Sequence, residues 1–516
     1  MPKIVIVPNL ELPHSQVRQE RRNVFSDETN LRLLRLLRGD SALPDTLGNT
    51  TTPQDLQLEL AAAIRQRLLP WFWSIMLHTI VLILLAIKFF PNIRTEPFDV
   101  LSGLVHLPPS DLPIGIHPGQ TEGDAPGVVH DDQSGAPVID EALTTPHDEP
   151  TPSSPGLNFA GRDIDQRGTV LGGGGGGSGQ TDEAVLAGLR WLAKVQQPNG
   201  AWHFSGQFFQ NAPQRYEDPL AATAMALLAF QGYGVTPDSR HPQLIEFSLP
   251  VRRGWNWLRE RQNSDGSFFM PSASSATNNH RFYTHGFCTI ALCELLAMTS
   301  DESLREPAQR AIDYCVQHQS MRSGGWRYLP DRYSDQSDVS VTGWIVLALK
   351  TGQTAGLIVP LETYDGVTKF LDSMMKSNMY MYREAEPEPR ITMTAEALYC
   401  RILLGWRRSN PRLAAGVRLI LDIPPNFSED YQRDVYYWFF ATQTLYHYGG
   451  EEWQTWNSTM REQLLQCQEN EGTESGSWNP QKPVRDMWGH LYGRHYTTCM
   501  SLYILEVYYR HLRIFP

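Results

Sequence analysis

The chain has 516 residues and carries 44 Lys and Arg against 56 Asp and Glu, a net charge of -12. That length suits two or three average domains. No basic face of the kind that grips a phosphate backbone is present, which excludes nucleic-acid binding.

Residues 1–68 form a polar region with two local features. Lys3 to Val7, KIVIV, reads as a short strand without an obvious partner. Thr29 to Arg38, TNLRLLRLLR, sets Arg32, Arg35 and Arg38 opposite leucines on a helix. Such a stripe suits an anionic membrane surface and equally an ordinary partner-binding helix.

Residues 69–90 contain PWFWSIMLHTIVLILLAIKFF, from Pro70 to Phe90. About 20 largely apolar residues is the length of a bilayer crossing. Trp71 and Trp73 at one end and Lys88, Phe89 and Phe90 at the other are placed as interface anchors. The stretch is expected to be a single transmembrane helix and starts too late for an ordinary cleaved signal peptide. The basic residues ahead of it and the acidic chain behind it place the N-terminus in the cytoplasm and the rest outside.

Residues 91–180 hold 13 acidic and 3 basic residues, so most of the net negative charge lies here. They are rich in Pro, Gly, Asp and Ser without periodicity and read as a disordered tether. The tether ends in Gly172 to Gly177 and Ser178-Gly179, a flexible joint. No βαβ unit and no following lysine support a phosphate-binding loop at these glycines.

Residues 181–516 repeat. From Ala184 the apolar pattern AVLAGLRWLAKV stops at Gln197-Pro198, because a proline biases its predecessor out of the helical region. Asn199-Gly200 then turns the chain into Trp202, and a second helix, DPLAATAMALLAFQGYG, begins at Asp218. The same two-helix unit recurs roughly every 55 residues, longer than most solenoid periods. Six pairs can be laid side by side. The second helix of each is apolar almost all round and so must be buried on every side. The expected fold is all-α, a closed (α/α)6 toroid with six inner and six outer helices.

The turn after the first outer helix reads Gln196-x-x-x-Gly200-x-Trp202, and the next reads Gln262-x-x-x-Gly266-x-Phe268. Gln319 to Trp326 carries one extra residue, and Gln468 to Trp478 is a stretched version. Glycine permits the tight turn, and the aromatic ring (Trp202, Phe268, Trp326, Trp478) plugs the gap between units. These repeats resemble those of the squalene and triterpene cyclases and the protein prenyltransferase β-subunits, over residues 181–516. With the tether, the glycine run and the ending LEVYYR, the chain resembles membrane-anchored bacterial members of that superfamily.

The chemistry this resemblance implies is incomplete here. Type II terpene cyclases protonate substrate with the middle acid of an Asp-x-Asp-Asp-Thr run. The match, Asp338-Val339-Ser340-Val341-Thr342, keeps the first Asp and the Thr and replaces both acids. Prenyltransferases hold zinc with an Asp-x-Cys pair and a His. Asp434-Val435-Tyr436 has Tyr for the Cys, and His495 lies near the His position. The thioester run Cys-Gly-Glu-Gln of a third group with this toroid is absent.

A constellation of polar residues does recur at the starts of the inner helices: Asp218, His285, Asp338, Thr392, Asp434 and His495. In a toroid these should meet at one end of a central cavity, with Tyr283, Trp344, Tyr436, Tyr437, Trp438 and Tyr496 lining its wall. An apolar hollow with a few convergent polar groups is the usual form of a ligand site. Asp and Thr at these positions serve equally well as helix caps, and the histidines as hydrogen-bonded core residues.

The six cysteines, Cys288, Cys293, Cys315, Cys400, Cys467 and Cys499, form no Cys-x-x-Cys pair and read as small buried apolar side chains. A disulfide between Cys288 and Cys293 stays open. No cofactor or metal is expected. The expected role is a membrane-tethered binding or scaffold module for an extracytoplasmic protein or glycan. The alternatives are an enzyme or carrier for an isoprenoid lipid, or a glycan-active barrel using paired carboxylates such as Asp218 and Asp434.

Overall fold

The computed structural model describes residues 157–170, 176–204, 217–271 and 278–515. The N-terminal region 1–68, the expected span 69–90 and most of the tether lie outside the described residues. Among the described residues, no helix is long and apolar enough to cross a membrane.

The first three helix pairs are α1 (Gly179–Val195) with α2 (Pro219–Gly232), α3 (Ile245–Arg259) with α4 (Arg281–Thr299), and α5 (Arg305–Gln317) with α6 (Val339–Thr354). The other three are α7 (Leu361–Met374) with α8 (Ile391–Leu403), α9 (Pro411–Leu421) with α10 (Val435–Tyr448), and α11 (Gly450–Gln466) with α12 (Gly489–Leu505). The odd-numbered helices are amphipathic. In α5 the buried residues are Ala308, Ala311, Ile312 and Cys315, spaced along one face of a 3.6-residue period. The even-numbered helices are enclosed, and in α2 every residue from Leu220 to Gly232 is buried. Each even-numbered helix packs against the next, and α12 returns to α2. The inner ring is therefore closed, and the outer helix α11 meets α1 in the same way.

The repeated turn residues hold this ring with one set of bonds. The side-chain amide of Gln196 donates to Gly200 O at 2.9 Å and to Pro250 O in the next outer helix at 2.8 Å. Gln262 does the same to Gly266 O and Pro307 O, and Gln319 to Gly324 O and Thr363 O. Gln468 donates to Gly476 O and to Ala184 O of α1, both at 2.8 Å, so the last unit is stitched to the first. The aromatic residue two places after the glycine goes inward. Trp202, Trp326 and Trp478 each donate their indole N–H to the preceding outer helix, at Leu192 O, Cys315 O and Leu464 O.

The glycines have a second reason. Gly200 and Gly476 both have φ near +94°, a region that side chains disfavour. A Cβ would also stand 2.6 Å from Arg253 O at Gly200 and 2.2 Å from Ala187 O at Gly476.

Two features depart from the expected architecture. The outer helix of the fourth unit ends at Met374, and a three-stranded antiparallel sheet follows: β1 (Met375–Lys376), β2 (Met379–Arg383) and β3 (Glu386–Arg390). Ser377 and Asn378, at φ 51° and 64°, make the turn that ends the helical pattern, and Pro387 and Pro389 keep the return strand at an edge. Tyr380 on β2 is buried and takes the place of the plugging aromatic. Residues 157–170, expected to be disordered linker, are instead packed on the helical body. Arg162 is 3% exposed, because its guanidinium finds a buried carboxylate there. The six cysteines are all free, with Cys467 half-buried and the others buried.

Candidate functional site

The inner helices run parallel, so their N-terminal residues meet at one end of the ring. Asp218 caps α2, accepting from Leu220 N at 3.0 Å and Ala221 N at 3.1 Å, and its other oxygen accepts from the Thr284 hydroxyl of α4 at 2.6 Å. Asp338 caps α6, accepting from Val341 N at 2.8 Å and the Ser340 hydroxyl at 3.0 Å. Asp434 caps α10, accepting from Tyr436 N and Tyr437 N, and Thr392 of α8 donates to it at 3.3 Å. Backbone N–H groups at a helix start favour an ionised cap, yet burial wins here. It raises the Asp218 carboxyl, lifts Asp338 to about 6, and lifts Asp434 to about 7 with help from the Asp486 charge.

Of the six, Thr392 and Asp434 are brought within hydrogen-bond reach of each other, and Asp218, Asp338 and Asp434 each cap a helix start. His285 sits one turn deeper, while His495, three residues before the Thr498 of its repeat, stands near the level of the caps. His285 accepts from Phe268 N at Nδ1, at 3.2 Å, and its Nε2 donates to Ala311 O at 3.0 Å. The other units use threonine for this bond: Trp202 N donates to Thr223, Trp326 N to Thr342, Tyr380 N to Thr394 and Trp478 N to Thr498. His285 is the threonine of its repeat, replaced by a longer side chain that also reaches the outer helix. His495 bonds Ala222 O at 2.8 Å, linking α12 to α2 across the ring closure. Burial pushes both imidazoles down to about 4, so both are neutral at physiological pH.

Tyr283, Tyr436, Tyr496 and Trp344 belong to the inner face. The Tyr283 and Ser340 hydroxyls are 2.5 Å apart, and Trp344 donates its indole N–H to the Tyr436 hydroxyl at 3.1 Å. Tyr496 packs on Tyr492 with ring centroids 5.3 Å apart. Tyr437 turns away and donates to Ile423 O. Trp438 also corrects the expected wall. It stands four residues after the Asp434 cap, as Thr342 does after Asp338, and therefore faces the outer connection. There it meets Phe427 edge-on at 5.2 Å.

Two carboxylates that the repeat pattern did not single out complete this end. Glu396, fully buried on α8, has the Tyr436 hydroxyl 3.1 Å from both of its oxygens. Burial holds its carboxyl well above the usual range. The backbone of α6 is pressed against it, since a Cβ on Gly343 would come 2.2 Å from its oxygen. Asp486 accepts from Val435 N, Trp488 N and Gly489 N, so one carboxylate serves the starts of both α10 and α12. A lone acid inside an apolar helix was the available signal for Glu396. Asp486 lies in a loop and offered none.

The axis itself is filled. Trp344 lies parallel to Phe439 at 5.3 Å and touches Phe287 at 4.4 Å. The axial cavity beside them is about 10 Å³, lined by Leu228, Ile290, Leu347, Tyr399, Gln443 and Tyr503 among others. That volume is at the limit for one water molecule, whereas ligand pockets run to several hundred Å³. Bulky aromatic side chains at these inner-helix positions occupy the axis at this depth. Among the described residues no group of three or more His, Cys, Asp or Glu is placed to hold a metal ion.

No protein-family model matches the chain, and no curated protein matches it. Among solved structures, the type II terpene cyclase MstE from Scytonema is similar at 15% identity and a TM-score of 0.40, covering 64% of this chain and 98% of that one. The GH76A α-1,6-mannanase from Salegentibacter sp. HEL1_6 is similar at 8% identity and a TM-score of 0.44, covering 63% and 98%. An α-amylase from Clostridium perfringens is similar at 8% identity and a TM-score of 0.44, covering 63% and 97%. Likeness at this level carries no functional argument, and the toroid rests on the closed packing of its own helices.

Proposed function

We propose that the toroid is a non-catalytic binding or scaffold module, presented outside the membrane by the apolar stretch 69–90 and the acidic tether. The observation that carries this reading is the filled axis, with its cavity of about 10 Å³. An isoprenoid of fifteen or more carbons needs a pocket of several hundred Å³. The polar residues at the inner-helix starts support the same reading, because their bonds hold helices together. The half-buried end face that carries Asp218, Tyr283, Thr392, Asp434 and Tyr436 is the proposed contact surface for a protein or glycan partner.

A second reading draws on Asp434, a half-buried carboxyl near 7, which suits a general acid in glycan hydrolysis. The full chain incubated with squalene, geranylgeranyl diphosphate and α-linked oligosaccharides tests both, with products read by mass spectrometry. No product is expected. Turnover that Asp434→Asn abolishes while the helical content stays intact would replace the scaffold with an enzyme.

A further inference from the structure

The axial cavity of about 10 Å³ is lined by apolar residues and by six buried polar ones, Glu294, Tyr399, Gln443, Tyr503, Arg510 and His511. An apolar hole stays dry, whereas a polar one of this size holds a water that finds about two to four partners. The hydrogen bonds of the six side chains therefore decide what the cavity is.

Three of the six are satisfied by the protein. Glu294 accepts from the two terminal nitrogens of Arg162, both at 2.9 Å, and from Arg510 at 3.2 and 3.3 Å. Arg510 also donates to Glu506 and to Leu228 O, both at 2.9 Å. The Tyr503 hydroxyl donates to Met225 O at 2.6 Å.

The other three each keep a buried polar atom that has no partner among the described residues: the Tyr399 hydroxyl, Gln443 Nε2 and His511 Nδ1. They come from α8, from α10 and from the chain that follows α12. The tautomer of His511 is fixed by its neighbour, because a terminal nitrogen of Arg162 lies 3.2 Å from His511 Nε2. A guanidinium only donates, so Nε2 accepts and Nδ1 carries the imidazole hydrogen. The set thus holds two N–H donors and one hydroxyl, which can donate or accept. Three unpaired polar groups in one core would be costly.

We propose that the axial cavity is a binding site for one ordered water molecule, held by Tyr399, Gln443 and His511. The water accepts from His511 Nδ1 and Gln443 Nε2 and donates to the Tyr399 hydroxyl oxygen, and about three bonds is usual for a buried water. It links α8 and α10 to the C-terminal chain. The proposal rests on the filled axis, since a hole with room for one water keeps the axis closed to a lipid.

The test uses the full chain in detergent. Tyr399→Phe and Gln443→Leu should each lower the urea midpoint. The double variant should lower it by less than the sum, because both act through one water. Removing a buried hydroxyl that bonds nothing is instead neutral or stabilising, so an unchanged or raised midpoint in Tyr399→Phe would overturn the proposal. A crystal structure of the parent chain grown in bromide reads the site without any substitution. One peak with no anomalous signal is expected within hydrogen-bond distance of all three atoms. No density there would overturn the site, and an anomalous peak would replace the water with a halide ion. Elongated lipid density would overturn the filled axis as well, which distinguishes that failure from the others.

Discussion

Trp344 and Phe439 lie face to face across the axis of the toroid, 5.3 Å apart and within 4° of parallel. The two rings come from α6 and α10, inner helices separated by α8, so the contact passes inside α8. It fills the space inside the inner helices at this depth. Replacing Trp344 with alanine removes the largest side chain of the pair and leaves a cavity among buried neighbours. The expected loss is about 3–5 kcal/mol of stability, read as a lower urea midpoint with an unchanged slope.

The glutamine stitches make a second prediction. Gln468→Ala removes two hydrogen bonds and leaves Ala184 O and Gly476 O buried with one donor fewer. At roughly 1 kcal/mol for each net bond, the cost is about 2 kcal/mol. Gln196→Ala removes the same pair of bonds elsewhere and should cost a similar amount. A much smaller cost at Gln468 would mean that the ring closure is not held by this residue.

The buried carboxyls predict a pH dependence. Asp338 and Asp434 titrate near 6 and 7 in the folded protein, against about 3.9 unfolded. The folded state therefore holds protons that the unfolded state releases. The stability these protons supply is complete below about pH 4 and is lost as pH rises through 6 for Asp338 and 7 for Asp434. Asparagine keeps the capping oxygen and cannot ionise. Asp434→Asn should therefore gain stability relative to the parent between pH 4 and 7, measured as urea midpoints across that range. A constant difference would show that Asp434 does not titrate there.

His285 has the opposite sign. Its folded value near 4 lies below the usual 6.5, so its contribution is complete above about pH 6.5 and falls as pH drops toward 4. His285→Thr restores the residue type of the other repeats. It should keep the bond to Phe268 N, lose the one to Ala311 O, and cost about 1–2 kcal/mol near pH 7. The difference should narrow toward pH 4. A difference that widens toward acid would mean that the imidazole is charged in the fold.

These comparisons also define what could be read before the structure. Gln196, Gly200 and Trp202 announced the turn because each residue type has one local job there. Asp218-Pro219 announced a helix start for the same reason. The plug in the fourth unit was obscured, because Tyr380 sits on a strand formed after an outer helix that ends early. Trp438 resembled a cavity residue by its type, while its register on α10 turned it outward. Arg162 was hidden in a stretch whose composition reads as tether. Its partner Glu294 was visible as a lone acid within ALCELLAM, a position that needs a buried cation. The pairing between them is a long-range fact, and local pattern does not carry it.

Thiol chemistry offers a further check. Burial raises the thiols of Cys288, Cys293, Cys315, Cys400 and Cys499, and raises Cys467 as well, though that residue is half-buried. A raised thiol is a poor nucleophile. With a thiol reagent at pH 8, the native chain should react at Cys467 first and at the others only after unfolding. Rapid native labelling of Cys288 or Cys293 would contradict this burial.

The filled axis is tested most directly by native mass spectrometry of the full chain purified gently in detergent from its source cells. The account predicts a toroid-bearing chain at its sequence mass, with no stoichiometric lipid retained after the surrounding detergent is removed. A retained molecule of isoprenoid mass, lost from a variant in which Leu347 is enlarged to tryptophan, would contradict it. The axis would then be a ligand site that opens, and the binding reading would give way to a carrier or enzyme.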